Sequence, residues 1–270
     1  MGRIIAVANQ KGGVGKTTTA INLAASLALA ERRVLLVDVD PQANMTSGVG
    51  LRDQPSPAGS IYSALTAPDL DIDLAPLIRQ TAVEGLSVIP ADRDLTGAEI
   101  EMVGLLAREQ RLRRLVRPLG DRFDYVFIDC PPSLGLLTLN ALVAADSVLI
   151  PLHCEYFALE GLADLVTTLR RVRAALNPTL DIEGVLLTMY DERTNLGQAV
   201  ARDVRQFFKE KTFETVIPRN VRLGEAPSHG IPVVLYDVKS RGAEAYLALA
   251  REFLERHARR NSTPGPVPVM

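Results

Sequence analysis

The feature that most constrains this 270-residue chain is a glycine- and lysine-rich segment near its amino end. Residues 9–18 read NQKGGVGKTT, directly after the apolar run 4–8 and before a stretch with helical periodicity. Glycines let the backbone turn tightly and point several N–H groups at one place, and the amino end of a helix adds positive potential there. The order strand, loop, helix therefore predicts an anion site.

Short apolar runs rich in β-branched residues recur between helix-periodic stretches. They cover residues 3–8, 34–37, 86–89, 125–128, 147–151, 182–189 and 215–217. Near-continuous hydrophobicity is typical of strands covered on both faces, and the intervening helices suit crossovers between parallel strands. The pattern predicts a doubly wound α/β fold, with a mostly parallel sheet flanked by helices on both faces.

The chain shows neither an internal repeat nor an internal linker, so residues 1–260 are expected to form a single domain. Residues 261–270 hold three prolines and a glycine without periodicity, which predicts a disordered tail. Residues 42–73 are poorer in regular pattern and are punctuated by prolines. We expect this stretch to be a surface excursion.

Composition excludes a strong overall attraction to polyanions. The 30 Lys and Arg residues against 32 Asp and Glu residues give a net charge of −2, so binding to nucleic acid or to an anionic membrane needs a local patch. The two cysteines, Cys130 and Cys154, have no CxxC spacing, which favours structural thiols in a reducing compartment. The apolar run 4–8 is too short for a signal peptide, and a cytoplasmic location is expected.

The loop carries most of the general phosphate-binding motif G-x-x-x-x-G-K-[ST]. Residues 15–17 supply its end, whereas Gln10 stands in place of the first glycine and Lys11 adds a second lysine. A dinucleotide fingerprint, G-x-G-x-x-G, is one alternative, but Thr18 occupies the position of its third glycine. An ordinary glycine-rich turn is the other alternative.

The segment KGGVGKTT at 11–18 resembles the deviant Walker A loop of the ParA/MinD group of ATPases. Four later motifs resemble its ParA/Soj branch: LLVDVDPQANMTSG at 35–48, YVFIDCPPSLG at 125–135, HCEYFALEGL at 153–162 and VIPRNVRLGEAPSHGIPV at 216–233. The likeness extends to about residue 258, and the separate motifs agree in order and spacing. It implies a P-loop ATPase that partitions chromosome or plasmid DNA.

The resemblance implies that ATP and Mg²⁺ bind at this loop. The expected nucleotide-binding residues are Lys11, Gly12, Gly13, Val14, Gly15, Lys16, Thr17, Thr18, Pro218 and Arg219. Backbone N–H groups of the loop would wrap the phosphates, Lys16 would neutralise the β and γ oxygens, and the Thr17 hydroxyl would coordinate Mg²⁺. Pro218 and Arg219 resemble the segment that lies beside adenine in relatives, although they also suit an ordinary loop.

Three aspartates follow predicted strands. Asp38 and Asp40 are two residues apart, so in extended backbone both side chains leave on one face, and Asp129 ends another apolar run. By resemblance Asp40 positions the attacking water, while Asp38 and Asp129 hold the metal together with Thr17. The alternatives are a local capping turn for the first two and a structural strand-end carboxylate for the third.

Lys11 is unexpected, because the loop already has its phosphate-binding lysine. The resemblance implies that Lys11 reaches ATP bound by a second copy of the chain, so that two protomers form a homodimer with ATP between them. On this reading the catalytic residues are Lys11, Lys16 and Asp40. A solvated loop lysine is the alternative.

The choice of branch depends on the last third of the chain. The apolar stripe Tyr246, Leu247, Leu249, Ala250, Phe253 and Leu254 could be a membrane-binding helix as in a MinD-like positioning ATPase. Core packing explains it more simply, so we expect no stable membrane anchor.

The ParA branch implies non-specific binding to double-stranded DNA, association with the nucleoid and a ParB-like centromere-binding partner. Arg193 and Arg222 are the preferred DNA phosphate contacts. A nucleotide-switched transcriptional regulator is the rival of a different class.

Overall fold

The computed structural model describes residues 2–52, 54, 58–68, 72–155 and 158–262. Within them a seven-stranded sheet has the order β3-β4-β2-β5-β1-β6-β7. The strands are β1 Arg3–Val7, β2 Val34–Asp38, β3 Arg79–Gln80, β4 Leu86–Ile89, β5 Tyr125–Asp129, β6 Ser147–His153 and β7 Asp181–Thr188. Neighbouring strands run parallel, except that β3 pairs antiparallel with β4.

Helices cover both faces of this sheet. The α-helices in the described residues are α1 Lys16–Leu29, α2 Asn44–Gly48, α3 Ile61–Thr66, α4 Leu95–Glu101, α5 Arg111–Val116, α6 Leu136–Ala144, α7 Ala158–Ala175, α8 Asn195–Phe208, α9 Val221–Glu225, α10 Val233–Tyr236 and α11 Arg241–Ser262. Buried residues of α3 to α8 form one core, and those of α1, α2, α10 and α11 form the other. The predicted doubly wound α/β fold is confirmed.

Each central strand contributes side chains to both cores. In β1, Ile4 and Ala6 belong to one core while Ile5 and Val7 belong to the other, and all four are fully buried. Because successive strand side chains point to opposite faces, a strand covered on both sides needs apolar residues at every position. This explains why the strands appear in the sequence as unbroken apolar runs.

Six of the seven predicted strands occur within two residues of their expected bounds, but the strand predicted at 215–217 is wrong. This segment runs beside β7, where the Ile217 N–H donates to the Leu187 carbonyl at 2.9 Å. The next pairing is a single isolated bridge between Tyr190 and Pro218. Since proline has no N–H, no ladder can continue through it.

The stretch 42–73 is more than a surface excursion in its described part. It contains α2 and α3, and Met45, Ile61 and Leu65 are fully buried in the two cores. Residues 53, 55–57 and 69–71 lie outside the described residues. At the other end of the chain α11 runs to Ser262, and residues 263–270 also lie outside, so the disordered tail stays a prediction.

The apolar stripe of the last helix packs inside the protein. Tyr246, Leu249 and Phe253 are buried, and α11 packs against α1. The interpretation of the stripe as core packing is confirmed. Among the helices that the structure describes, none combines the length and the apolar character needed to cross a bilayer.

A buried glutamate ties the last helix to the amino-terminal edge of the sheet. Glu183 of β7 is fully buried and accepts hydrogen bonds from the Ser147 hydroxyl at 2.7 Å and from Arg260 at 2.9 Å. Arg3 lies 2.9 Å from the same carboxylate, and the His257 ring nitrogen lies 3.0 Å from it. Burial raises the pKa of Glu183, but the His257 hydrogen bond and the two arginines outweigh it and lower the pKa to about 2.

We expect Glu183→Gln to destabilise the fold by about 3 kcal/mol at about pH 7, because the unfolded pKa near 4.5 falls to about 2 on folding. The folded carboxylate has the lower pKa, so its stabilisation is present above the unfolded value and is lost as pH falls toward 2. Urea unfolding across this range should show the two proteins converging in acid. The exposed Glu84→Gln is the control, and a destabilisation that does not change with pH would contradict the assignment.

Candidate nucleotide site

Three adjacent strands end at one place on the carboxyl edge of the sheet. β5 lies between β1 and β2, and Asp38 of β2 is the register partner of Asp129 of β5. Val7, the last residue of β1, is also paired with Asp129, and the glycine-rich loop follows from there. Parallel topology therefore brings together the loop and two carboxylates that are far apart in sequence.

The glycine-rich loop has the backbone that its sequence requires. Gly13 and Gly15 have φ values of 71° and 84°, which side chains other than glycine rarely adopt, and α1 begins at Lys16. The Thr188 hydroxyl, at the end of β7, donates to the Val14 carbonyl at 2.8 Å. Sequence reasoning missed Thr188. It holds the loop from β7, which lies on the opposite side of β1 from β5 and β2.

A cavity of about 790 Å³ opens above the loop. The predicted site residues that line it are Gly12, Gly13, Gly15, Lys16, Thr17, Thr18, Asp40, Pro218 and Arg219. Its lining also includes Met189, Leu223 and Tyr246, three apolar or aromatic residues that the sequence motifs did not indicate. The lining thus combines polar groups with apolar and aromatic side chains, a composition typical of sites for small ligands.

Lys16 is the buried cation of this site. Its residue is only 7% exposed, and its ammonium donates to the Lys11 carbonyl at 3.1 Å. Burial lowers the pKa of Lys16, while the negative charges of Asp129 and Asp40 act in the opposite direction.

Asp129 is fully buried, and neither of its carboxylate oxygens has a hydrogen-bond partner in the described part of the chain. Burial raises its pKa well above the usual range, and the neighbouring charge of Asp38 raises it further. The Thr17 side chain and Lys16 act in the opposite direction, although Thr17 forms no hydrogen bond of good geometry with it. A buried carboxylate without partners is costly unless a cation binds it, so this side chain fits a metal ligand.

Asp38 and Asp40 occupy different layers of the site. Asp38 is fully buried and accepts from the Thr46 N–H at 2.8 Å and the Thr46 hydroxyl at 2.7 Å. Burial raises the pKa of Asp38 to about 6, and the Thr46 hydrogen bonds limit the increase. Asp40 instead lines the cavity and accepts from the Gln42 N–H at 2.9 Å. The sequence predicted that both side chains face the phosphates, but only Asp40 lines the cavity.

The site does not contain a complete metal cage. Within the described ranges no group of three or more His, Cys, Asp and Glu side chains could hold a metal ion alone. Mg²⁺ commonly keeps several waters and binds through one or two carboxylates plus substrate phosphates. Asp129, whose two oxygens lack hydrogen-bond partners among the described residues, fits such an ion when a phosphate is present to complete its coordination. Both Asp38 oxygens already accept hydrogen bonds, and the metal roles of Asp38 and Thr17 stay predictions.

Lys11 does not line the cavity of its own chain. Its ammonium forms an ion pair with Glu155, which follows β6, and both side chains are 38% exposed. His153 also lies 3.4 Å from the Glu155 carboxylate. The two loop lysines are therefore separated, with Lys16 directed inward and Lys11 at the surface. Sequence reasoning missed Glu155.

The two arginines predicted to contact DNA lie near the rim of the cavity. Arg193 follows Asp191, and an isolated bridge joins the preceding Tyr190 to cavity-lining Pro218. Its guanidinium lies 2.7 Å from Asp191, yet 85% of the side chain is exposed.

Arg222 is on α9, whose residues also line the cavity. Its guanidinium pairs with Glu225 at 2.7 Å and with Asp237 at 3.3 Å. Both predicted DNA contacts are thus exposed arginines paired with carboxylates of the same chain.

The Cys130 thiol is buried directly after Asp129. Burial raises its pKa, so it stays a protonated, unreactive thiol. Cys154 is partly buried, and burial raises its pKa to about 11. Both fit the structural role expected from the sequence.

Comparison with known proteins agrees with this geometry. A model of the AAA-domain family matches residues 2–182. The chain is 59% identical over 256 residues to the chromosome partitioning protein ParA of Myxococcus xanthus, covering 95% of this chain and 89% of that protein. It is 57% identical over 252 residues to the sporulation initiation inhibitor protein Soj of Bacillus subtilis, covering 93% and 98%.

A solved structure shares the fold over the whole length. The crystal structure of cobyrinic acid a,c-diamide synthase from Mycobacterium smegmatis, with bound ADP and magnesium, matches with a TM-score of 0.82 and 37% identity, covering 99% of this chain and 100% of that one. Sequence identity above one half over nearly the full chain, together with the loop and aspartates in place, shows that the chain belongs to the ParA/Soj family of chromosome-partitioning ATPases.

Proposed function

We propose that this ATPase binds ATP with Mg²⁺, pairs with a second copy across the nucleotide, binds DNA without sequence preference, and is released by slow hydrolysis. The observation that carries this proposal is the separation of the two loop lysines. Lys16 is buried in its own cavity, whereas the Lys11 ammonium lies outside it in an exposed ion pair. A cation at the rim can reach a phosphate held by a facing protomer.

The loop and its helix hold the triphosphate. Gly12 to Thr18 present backbone N–H groups at the amino end of α1, and Lys16 neutralises the β and γ oxygens. The solved relative with ADP and magnesium supports the same pair of ligands here. Bound Mg²⁺ would offset phosphate charge, with Thr17, Asp38 and Asp129 on its protein side.

Asp40 is placed to orient the water that attacks the γ-phosphate. It is the one of the three aspartates that lines the cavity, and its Oδ1 accepts the Gln42 N–H at 2.9 Å, which fixes the carboxylate. A fixed carboxylate that accepts a hydrogen bond from water can position that water without any large movement. A single carboxylate aligned in this way is consistent with slow turnover.

Pairing would increase DNA affinity. Each protomer contributes Arg193 and Arg222, so a dimer doubles the number of phosphate contacts and steepens the dependence on salt. Both arginines lie close to elements that line the nucleotide cavity. We therefore propose association with the nucleoid, and release when a ParB-like partner accelerates hydrolysis.

Asp129→Asn should raise the thermal midpoint of the nucleotide-free protein by about 2–4 °C, because it removes a buried carboxylate that lacks partners. The same substitution should abolish the further rise caused by Mg²⁺ with ADP. Thermal denaturation with and without that ligand measures both effects, with the exposed Asp121→Asn as control. A lower midpoint, or an undiminished ligand effect, would contradict the metal assignment.

Single substitutions of Lys16, Lys11 and Asp40 should block three different steps of the proposed cycle. Lys16→Ala should lose ATP binding, Lys11→Ala should bind ATP but stay monomeric, and Asp40→Ala should bind and dimerise without turnover. Sedimentation with ATP, paired with a phosphate-release assay, separates the three. A Lys11→Ala protein that dimerises normally would refute the shared-nucleotide dimer.

Arg193→Ala and Arg222→Ala should weaken ATP-dependent binding to random DNA. Each phosphate interaction that a substitution removes should make the slope of log affinity against log salt shallower by about 0.9. Co-sedimentation with DNA in ADP, ATP and a non-hydrolysable analogue measures this. Arg114→Ala, an exposed arginine on α5, is the matched control. Equal binding in all three nucleotides would refute nucleotide control, and selective binding to one operator would favour a transcriptional regulator.

A further inference from the structure

A second large cavity lies beside the nucleotide cavity. Its volume is about 910 Å³, and it lies between α2 and the segment that follows β4. The two cavities share Gln42 in their linings. The proposed ATPase cycle makes no use of this second cavity.

Arginines dominate the charge of its lining. Arg52, Arg79 and Arg93 all line it, whereas Asp92 is the only carboxylate in the described lining. The Asp92 carboxylate accepts the Asp94 N–H at 3.1 Å. Among the described residues, three arginines therefore line this space together with one carboxylate.

The three arginines form few hydrogen bonds or ion pairs with other residues that the structure describes. Arg79 donates to the Gln54 side chain at 3.3 Å, a neutral acceptor. Arg52 and Arg93 have no hydrogen bond or ion pair with any residue that the structure describes. Arg52 and Arg93 are exposed, so water satisfies their donors in the free protein, and a phosphate can take the place of that water because the five N–H donors of a guanidinium form a planar fork that matches it.

One lining residue, Thr46, already has its hydrogen bonds within the protein. The Thr46 hydroxyl donates to Asp38 at 2.7 Å and accepts the Ala91 N–H at 3.0 Å. This hydroxyl therefore has both a donor and an acceptor partner within the protein. The charge available to a ligand in the second cavity thus comes from the arginines.

We propose that this cavity is a second anion site, which takes a small molecule carrying two or more phosphate groups. The volume lies in the range of sites for small organic ligands. Its described lining contains no aromatic side chain that could stack on a base, so the phosphates and not a nucleobase provide recognition. The site is independent of the shared-nucleotide dimer and stands if that proposal fails.

Calorimetric titration with inorganic tripolyphosphate tests the proposal in two backgrounds. One is the wild-type protein saturated with Mg²⁺ and a non-hydrolysable ATP analogue, with the heat of Mg²⁺ binding to tripolyphosphate subtracted by a protein-free titration at the same Mg²⁺ concentration. The other is Lys16→Ala without added Mg²⁺, so that binding at the glycine-rich loop is suppressed in both. We expect one saturable site in each. Introducing Arg52→Gln or Arg93→Gln into either background should weaken the affinity for tripolyphosphate about tenfold, because each substitution removes a charge-assisted hydrogen bond.

Arg114→Gln removes the same charge from an exposed position on α5 and should leave the affinity unchanged. Absence of saturable binding in both backgrounds would overturn the proposal. An equal weakening by Arg114→Gln would also overturn it, because the ion would then respond to overall charge and not to this cavity.

Discussion

The crowding of negative charge around one buried lysine is the constraint on which the site depends. Asp38 and Asp129 are fully buried on adjacent strands, Asp40 is nearly so, and Lys16 is the cation among them. Burial raises the pKa of Asp38 to about 6 and that of Asp129 well above its usual range. Keeping such groups charged in the buried site is costly, so they hold protons more tightly than exposed carboxylates do, and a bound cation offsets that cost.

Side-chain hydrogen bonds hold α1, which follows the phosphate loop, against neighbouring helices. Asn22 of α1 donates to the Thr18 carbonyl at 2.8 Å and accepts the Val233 N–H at 2.8 Å. Thr19 and Tyr246 share a buried hydrogen bond of 3.1 Å between their hydroxyls. The helix that carries the phosphate loop is thus fastened to α10 and α11, which pack next to the segment bearing Arg222. These contacts connect the phosphate loop to the segment that bears Arg222.

The sequence was most informative where a local rule decides the structure. Buried strands must be apolar at every position, so six strands could be located within two residues. A glycine cluster followed by a helical pattern located the loop, and the strand-end aspartates located the buried carboxyl groups beside it. Residues 215–217 obeyed the same apolar rule but run beside β7 without forming a ladder, because Pro218 interrupts the pairing. The strand β3 has only two residues, too few to produce a periodic signal.

Contacts between distant segments could not be predicted from one sequence. Thr188 contacts the loop, Glu155 contacts its Lys11, and Tyr246 contacts Thr19 in the first turn of α1, each from more than one hundred residues away. Nothing in their local sequence distinguishes them from ordinary structural residues. The sequence also did not show that Asp38 lies deeper than Asp40. Asp38 is a buried acceptor because Thr46, eight residues after it, donates two hydrogen bonds to its carboxylate.

Proton release on ligand binding tests the central claim most directly. Calorimetry of Mg²⁺ and ADP binding, in two buffers of different ionisation enthalpy at about pH 6, gives the number of protons displaced. If a metal ion relieves the buried carboxylates, the wild-type protein should release more protons than Asp129→Asn. An equal release by the two proteins would contradict the account.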